Sequence, residues 1–295
     1  MNTAFDQGKL TEAILELIRM TSTQLPRDVV AAMEAGIARE DDGSPAKSVL
    51  RFMLDNALEA EKGSTPICQD TGTNIYFVNI PEGLSMRFVE HAIIDATRQA
   101  TKMNYLRPNA VDPVTGENSG DNTGLMAPFI HFDEWDEPFL KISLALKGGG
   151  CENVSDQYKL PDTRLKAGRD LQGVYKCIVD AVHKAQGLGC APGVLGIGIG
   201  GDRASGMIQA KKQLFRLLSD ENPNSELREL EAKLFDDLNT MGIGPMGFGG
   251  KTTILGVKIG TLHRLPASFF VSIAYMCWAD RRHTLTLSNT EVHYD

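Results

Sequence analysis

From residue 75 onward, short apolar runs of strand length alternate with amphipathic segments of helical period. That alternation confines the chain to a mixed α/β fold. Residues 75–80, 139–146, 194–199, 252–259, 269–275 and 284–287 read as strands. Residues 87–101, 170–186, 204–218 and 225–241 read as helices, the last capped by Ser225. Up to Gly63 the pattern is helical. Residues 11–20 carry one apolar face, and Ser44-Pro45 sets an N-cap before proline at the first helical position. Val49, Leu50, Met53, Leu54, Ala57 and Leu58 then share a side, and Gly63 stands where that helix should stop. No internal repeat or low-complexity linker interrupts the chain. The expectation is one large domain, 1–295, of mixed sheets flanked by helices, with a helical N-terminal part over about 1–63.

Hydrophobic residues make up 42% and charged residues 23%, which leaves ample material for a core. The net charge of −8 repels phosphate backbones and argues against nucleic-acid binding. No run approaches the roughly 18 apolar residues of a membrane span. The N-terminus lacks a basic start followed by an apolar run, so a cytoplasmic protein without a secretory signal is expected. The five cysteines are odd in number and include no CxxC pair. Neither a disulfide framework nor a zinc ribbon or ferredoxin spacing is announced. Cys177 shares the apolar face of the 170–186 helix with Val174, Ile178, Ala181 and Val182, which makes it a core residue.

Two motifs invite a nucleotide-binding reading. Gly196-Ile-Gly198-Ile-Gly200-Gly201 satisfies GxGxxG, yet its first glycines fall inside the expected strand, and Asp220 sits in a turn after a helix. Gly249-Gly250-Lys251-Thr252 resembles the end of a P-loop, but Pro245 occupies the first glycine position and the order is helix–loop–strand. Lys251 can still face an anion, or stand solvated in its loop.

Four glycine- or proline-marked turns carry polar groups: Pro66-Ile-Cys68-Gln69-Asp70-Thr71-Gly72-Thr73, Lys147-Gly-Gly-Gly150-Cys151-Glu-Asn153, Gly189-Cys190-Ala191-Pro192 and Cys277-Trp-Ala-Asp280-Arg-Arg282. Cysteines beside chain-turning or charged residues are less natural in a plain core, so Cys68, Cys190 and Cys277, and equally Cys151, are candidate ligands.

These segments, with Gly-Phe-Gly-Gly-Lys251, occur in an order that resembles the iron-dependent class I fumarases and tartrate dehydratases, over about residues 15–285. The resemblance implies a [4Fe–4S] cluster held by Cys68, Cys190 and Cys277, with one iron left without a protein ligand. It implies Arg107 as a substrate-carboxylate anchor, Gln69 beside the substrate, Asp70 in proton transfer, and Gly150 and Asn153 on a closing loop. Left to themselves, Arg107 reads as a surface arginine and Asp70 as a turn-capping carboxylate. The chemistry suits the set: an open iron polarises a substrate oxygen, and charge building on a carboxylate needs cationic donors.

Family members often carry Arg-His-Pro where this chain has Leu262-His263-Arg264-Leu265-Pro266. Either His263 takes over that substrate contact or the contact is missing. Gly-Gly-Gly-Cys151 leans toward tartrate dehydratase, whereas CQDTGT and GFGGK lean toward fumarase. The favoured substrate pair is fumarate/(S)-malate, with L-tartrate to oxaloacetate second. A nucleotide-binding oxidoreductase built on residues 196–201 and a scaffold without a cluster are the rivals. Single-chain members continue into a second domain, so this chain resembles the separate α subunit. It is expected to need a β subunit, in an α/β pair or higher oligomer.

Overall fold

The computed structural model describes residues 6–288 and 291–295. In chain order the elements are α1 (Gln7–Thr23), α2 (Arg27–Arg39), α3 (Pro45–Gly63), β1 (Thr73–Pro81), α4 (Met86–Lys102), β2 (Phe129–Trp135), β3 (Leu140–Lys147), α5 (Gly149–Asn153), β4 (Asp156–Lys159), α6 (Leu171–Ala185), β5 (Gly193–Ile199), α7 (Arg203–Gln213), α8 (Ser225–Asn239), β6 (Ile254–Thr261), β7 (Phe270–Met276), β8 (Arg282–Ser288) and β9 (Glu291–Tyr294). They form the mixed α/β architecture that the alternating pattern implies, sorted into two compact units, each with its own mixed sheet.

The first unit gathers the residues up to Pro26, Asn56–Gly148 and Arg281–Asp295. Its sheet runs β2-β1-β3-β8-β9, with β1 and β2 parallel and the other pairs antiparallel. Helices α1 and α4 bury Leu10, Ile14, Leu17, Val89, Ile93 and Ala96 in one core with Tyr76, Val78, Ile142, Leu144 and Leu285 of the sheet. Both helices are started by side chains: Asp6 accepts from the Gly8 amide at 3.1 Å and Ser85 from the Phe88 amide at 3.4 Å.

The second unit gathers Arg27–Asp55 and Gly149–Asp280 around a sheet of order β4-β7-β5-β6. β5 lies parallel to β6 and antiparallel to β7. The alternate glycines of β5 have a packing role. A Cβ on Gly196 would overlap the carbonyl oxygen of Ala210, and one on Gly198 that of Gly206, so α7 rests directly on the strand backbone. Asp202 caps α7, accepting from the Ser205 amide at 2.7 Å, while Ser205 accepts from the Asp202 amide at 2.9 Å.

Two helix boundaries differ from expectation. α7 stops at Gln213 instead of running to residue 218, because the Leu218 amide turns to the Asp28 carboxylate at 2.8 Å instead of a helical carbonyl. The cap of α8 is Asn224, which accepts from the Leu227 amide at 3.2 Å, and not Ser225; the two residue types cap about equally well, so the pattern alone does not choose. Among the described residues no helix is long and apolar enough to cross a membrane.

Candidate active site

In the first unit the turn before β1 carries Cys68, Gln69 and Asp70. Asp70 Oδ1 accepts from the Gly72 amide at 2.9 Å, closing the turn on itself. Gly72 has φ +79°, and a Cβ there would lie 2.8 Å from the Leu146 and Lys147 carbonyl carbons on β3, so only glycine lets the turn sit this close to the sheet. Arg107, 38 residues away, joins the turn: its Nη1 donates to the Gln69 carbonyl at 3.0 Å and its amide to Thr71 Oγ1 at 3.0 Å. Asn109 Nδ2 donates to the same hydroxyl at 3.1 Å.

Asn122 locks this arrangement from behind. Its Oδ1 accepts from the Asn109 amide at 2.7 Å, and its Nδ2 donates to the Arg107 carbonyl at 2.6 Å and to Thr101 Oγ1 at 3.0 Å. Asn122 and Thr71 are buried while the Arg107 and Gln69 side chains are exposed, so the rigid part lies beneath and the charged part faces outward. Thr71 falls within the glycine-marked turn that the sequence singles out, but no sequence pattern reveals Asn109 or Asn122 as part of this site. The one signal for Asn122 is a polar residue in a Gly-Asp-Asn-Thr-Gly stretch, which reads as a turn.

In the second unit the antiparallel pairing of β5 with β7 sets Val194 opposite Met276. Cys190, just before β5, and Cys277, just after β7, therefore share one end of the sheet, and the Trp278 amide donates to the Cys190 carbonyl at 3.2 Å. Cys190 adopts φ +57°. The loop holding Lys251 belongs to the same end, since the Met246 amide donates to the Ala191 carbonyl at 2.9 Å and the Gly193 amide to the Thr253 carbonyl at 3.0 Å. Glu40 fixes that loop by accepting from the Lys251 amide at 2.8 Å and 3.0 Å, and Lys251 Nζ forms an ion pair with Asp41. Gly150 and Asn153, both exposed, lie on α5; a Cβ at Gly150 would approach the Leu188 carbonyl at 3.4 Å.

His263 stands elsewhere. The Leu262 amide donates to the Ile199 carbonyl at 2.9 Å, which puts the loop at the far end of β5. The five residue steps from Val194 to Ile199, at about 3.3 Å each, separate it from the cysteine end by roughly 17 Å. Two open clefts of about 410 Å³ and 530 Å³ lie there beside His263 and Arg264, the latter with its guanidinium 4.6 Å from the centre of the Phe269 ring. Thus Gln69, Asp70 and Arg107 come together in one unit and Cys190, Cys277, Lys251 and Gly150 gather at one sheet end in the other, while His263 lies at the opposite end of that sheet.

The five thiols divide by exposure. Cys68, Cys190 and Cys277 are partly exposed, whereas Cys151 and Cys177 are buried. Burial pushes the Cys177 thiol up to about 12, with Asp162, Asp180 and Asp156 adding to it, so it stays protonated and is a poor ligand. Cys151 Sγ lies 4.0 Å from Met276 Sδ, in a sulfur-rich core contact. Among the described residues no three His, Cys, Asp or Glu side chains gather around a single-ion position. A cubane differs in bringing each thiolate to its own iron, and partly exposed thiols suit it as donors.

Tyr275 lies between these features. Its ring fills the inside of the 189–193 turn, so that a Cβ on Gly189 would come within 2.5 Å of ring carbon. Burial, and after it the sulfurs of Cys277, Cys151 and Cys190, push its hydroxyl well above the usual phenol range. That hydroxyl has no hydrogen-bond partner among the described residues. A buried polar atom of this kind, beside two ligand-type cysteines, fits a site built to surround a further group.

A family model described as fumarate hydratase (Fumerase) matches residues 11–286. Over 277 residues the chain is 50% identical to a Geobacillus stearothermophilus protein named "Putative fumarate hydratase class I", covering 93% of this chain and 54% of that protein. It is 36% identical over 280 residues to "Putative L(+)-tartrate dehydratase subunit alpha" of Methanocaldococcus jannaschii, with 93% and 96% covered. Against L(+)-tartrate dehydratase subunit alpha of Escherichia coli K12 the identity is 31% over 280 residues, with 94% and 90% covered. The chain therefore spans about half the length of the fumarate hydratase relative and nearly all of the two α subunits.

Proposed function

This chain belongs to the fumarate hydratase (Fumerase) family, and on that footing we propose that it is the α subunit of an iron–sulfur hydro-lyase interconverting fumarate and (S)-malate. The observation that carries the reading is the Gln69–Asp70 turn, with the Arg107 guanidinium hydrogen-bonded to it at 3.0 Å. It presents a cation and a carboxyl group side by side on a buried polar frame. Identity of 50% to a protein named as a fumarate hydratase, against 36% and 31% to those named as tartrate dehydratase α subunits, favours fumarate/malate over tartrate. The names of the latter two support a separate β subunit as partner.

In this reading Cys68, Cys190 and Cys277 hold a [4Fe–4S] cluster. When bound, the cluster supplies an iron without a protein ligand, a Lewis acid for a substrate oxygen. Arg107 holds one carboxylate of the diacid and meets the negative charge that builds there as the adjacent carbon loses its proton. Asp70 takes that proton from malate as hydroxide leaves the other carbon, so that the net loss is one water; in the reverse direction it returns the proton to fumarate as hydroxide, drawn from water, adds to the other carbon. Gln69, with its side chain exposed beside Asp70, orients the substrate, as do Gly150 and Asn153. Lys251, paired with Asp41, has its ammonium free to exchange that partner for an anion.

The test is anaerobic co-purification with the β chain, followed by turnover of malate and of L-tartrate at matched concentrations. The reading expects kcat/KM for malate to exceed that for tartrate at least tenfold. A preference for tartrate would move the assignment to a tartrate dehydratase, and turnover of neither would overturn it.

A further inference from the structure

The proposed reaction leaves Tyr275 without a task, yet its surroundings are built. It is the next-to-last residue of β7, two positions before Cys277, and only 2% exposed. The turn around Cys190 is shaped to it. Gly189 and Gly193 bracket the ring, and a Cβ on Gly193 would overlap both the ring and the hydroxyl oxygen. The hydroxyl therefore projects over the backbone that carries Cys190, at the end of the sheet that also carries Cys277. It has no protein acceptor among the described residues, although Tyr158 and Tyr175 in the same unit meet Asp180 and Asp237 at 2.7 Å and 2.8 Å. A buried phenol that could be replaced by phenylalanine without losing a bond calls for an acceptor supplied from outside the chain.

We propose that the Tyr275 hydroxyl donates a hydrogen bond to a sulfur of the iron–sulfur centre on its Cys190–Cys277 side, and so acts as a positioning residue that sets the centre's reduction potential and its resistance to oxygen. This rests on the cluster reading above. Hydrogen bonds to cluster sulfur withdraw electron density, stabilise the reduced form and raise the potential. The two glycines then have a shared reason, since a side chain at either would push the donor away from its acceptor.

The test compares the wild-type α/β complex with Tyr275→Phe, both loaded anaerobically and assayed for iron and sulfide. Tyr275→Phe should hold the same iron as wild type, show a more negative reduction potential, move the Fe–S(Cys) stretching bands upward, and lose its cluster in air several-fold faster. Unchanged potential and bands with iron retained would overturn the inference. Should the phenylalanine variant fail to fold, 3-fluorotyrosine incorporated at Tyr275 keeps the shape and strengthens the donor. It should shift the potential and the bands in the opposite sense, and the absence of any shift would equally overturn the inference. A wild-type complex without iron and sulfide would instead remove the cluster reading itself.

Discussion

Asn122 ties three segments of the candidate site with one side chain, accepting from Asn109 and donating to Arg107 and Thr101. Removing it leaves the partly buried Asn109 amide and Arg107 carbonyl without that partner, at about 1 kcal/mol. Asn122→Ala should lower the urea midpoint accordingly and raise KM more than it lowers kcat, because Arg107 loses its backing and Asp70 does not. Arg107→Ala removes the charge itself and should reduce kcat/KM by about 10²–10³-fold, with Arg107→Lys recovering part of it. Cys177 gives a pH-dependent check. Its folded thiol is held up to about 12 against an ordinary value of 9.0, so the neutral form's stabilisation is complete below pH 9 and is lost as pH rises from there toward 12. The fall in urea midpoint over that window should be shallower in Cys177→Ala than in wild type. At this scale the motif order singles out Cys68, Gln69 and Asp70 as candidates, and the resemblance adds Arg107. The frame residues Asn109 and Asn122 are not legible, since the bonds of the frame join residues up to 38 apart and leave no local pattern.

The elements show why some of the fold can be read and some cannot. β1, β3, β5 and β7 are buried along most of their length and announce themselves as apolar runs. β2 is an edge strand, Phe-Ile-His-Phe-Asp-Glu-Trp, with no fully buried residue, and its membership is set by parallel pairing with β1 that no local preference specifies. The glycine run of β5 looked like a nucleotide motif by spacing. In three dimensions Gly196 and Gly198 admit α7, a packing reason that a one-dimensional motif does not encode. Gly198→Ala should force α7 away from the strand and cost about 1–3 kcal/mol by urea denaturation, whereas Gly63→Ala, at the end of α3 with only Thr65 side-chain atoms 3.6–3.7 Å from its Cβ, should leave the midpoint nearly unchanged. Sheet topology also places His263: it is close in sequence to the β7 strand that leads to Cys277, yet that strand carries the chain back across the sheet, leaving His263 at the end opposite Cys190 and Cys277.

For the whole molecule, the α-subunit reading makes activity a property of the pair. The cluster-loaded chain alone should show no detectable malate turnover, and adding the β chain should restore it; turnover by the lone chain would contradict the dependence. The central proposal lies beneath that one: of five thiols, the three partly exposed ones are the proposed ligands and the two buried ones are core residues. Its most direct measurement is the iron and sulfide content of the five single Cys→Ala variants, each purified anaerobically with the β chain and checked for native secondary structure. The account predicts that Cys68→Ala, Cys190→Ala and Cys277→Ala lose most of their iron and sulfide while Cys151→Ala and Cys177→Ala keep the wild-type complement. Full iron in any of the first three, or its loss from a folded Cys177→Ala, would contradict it.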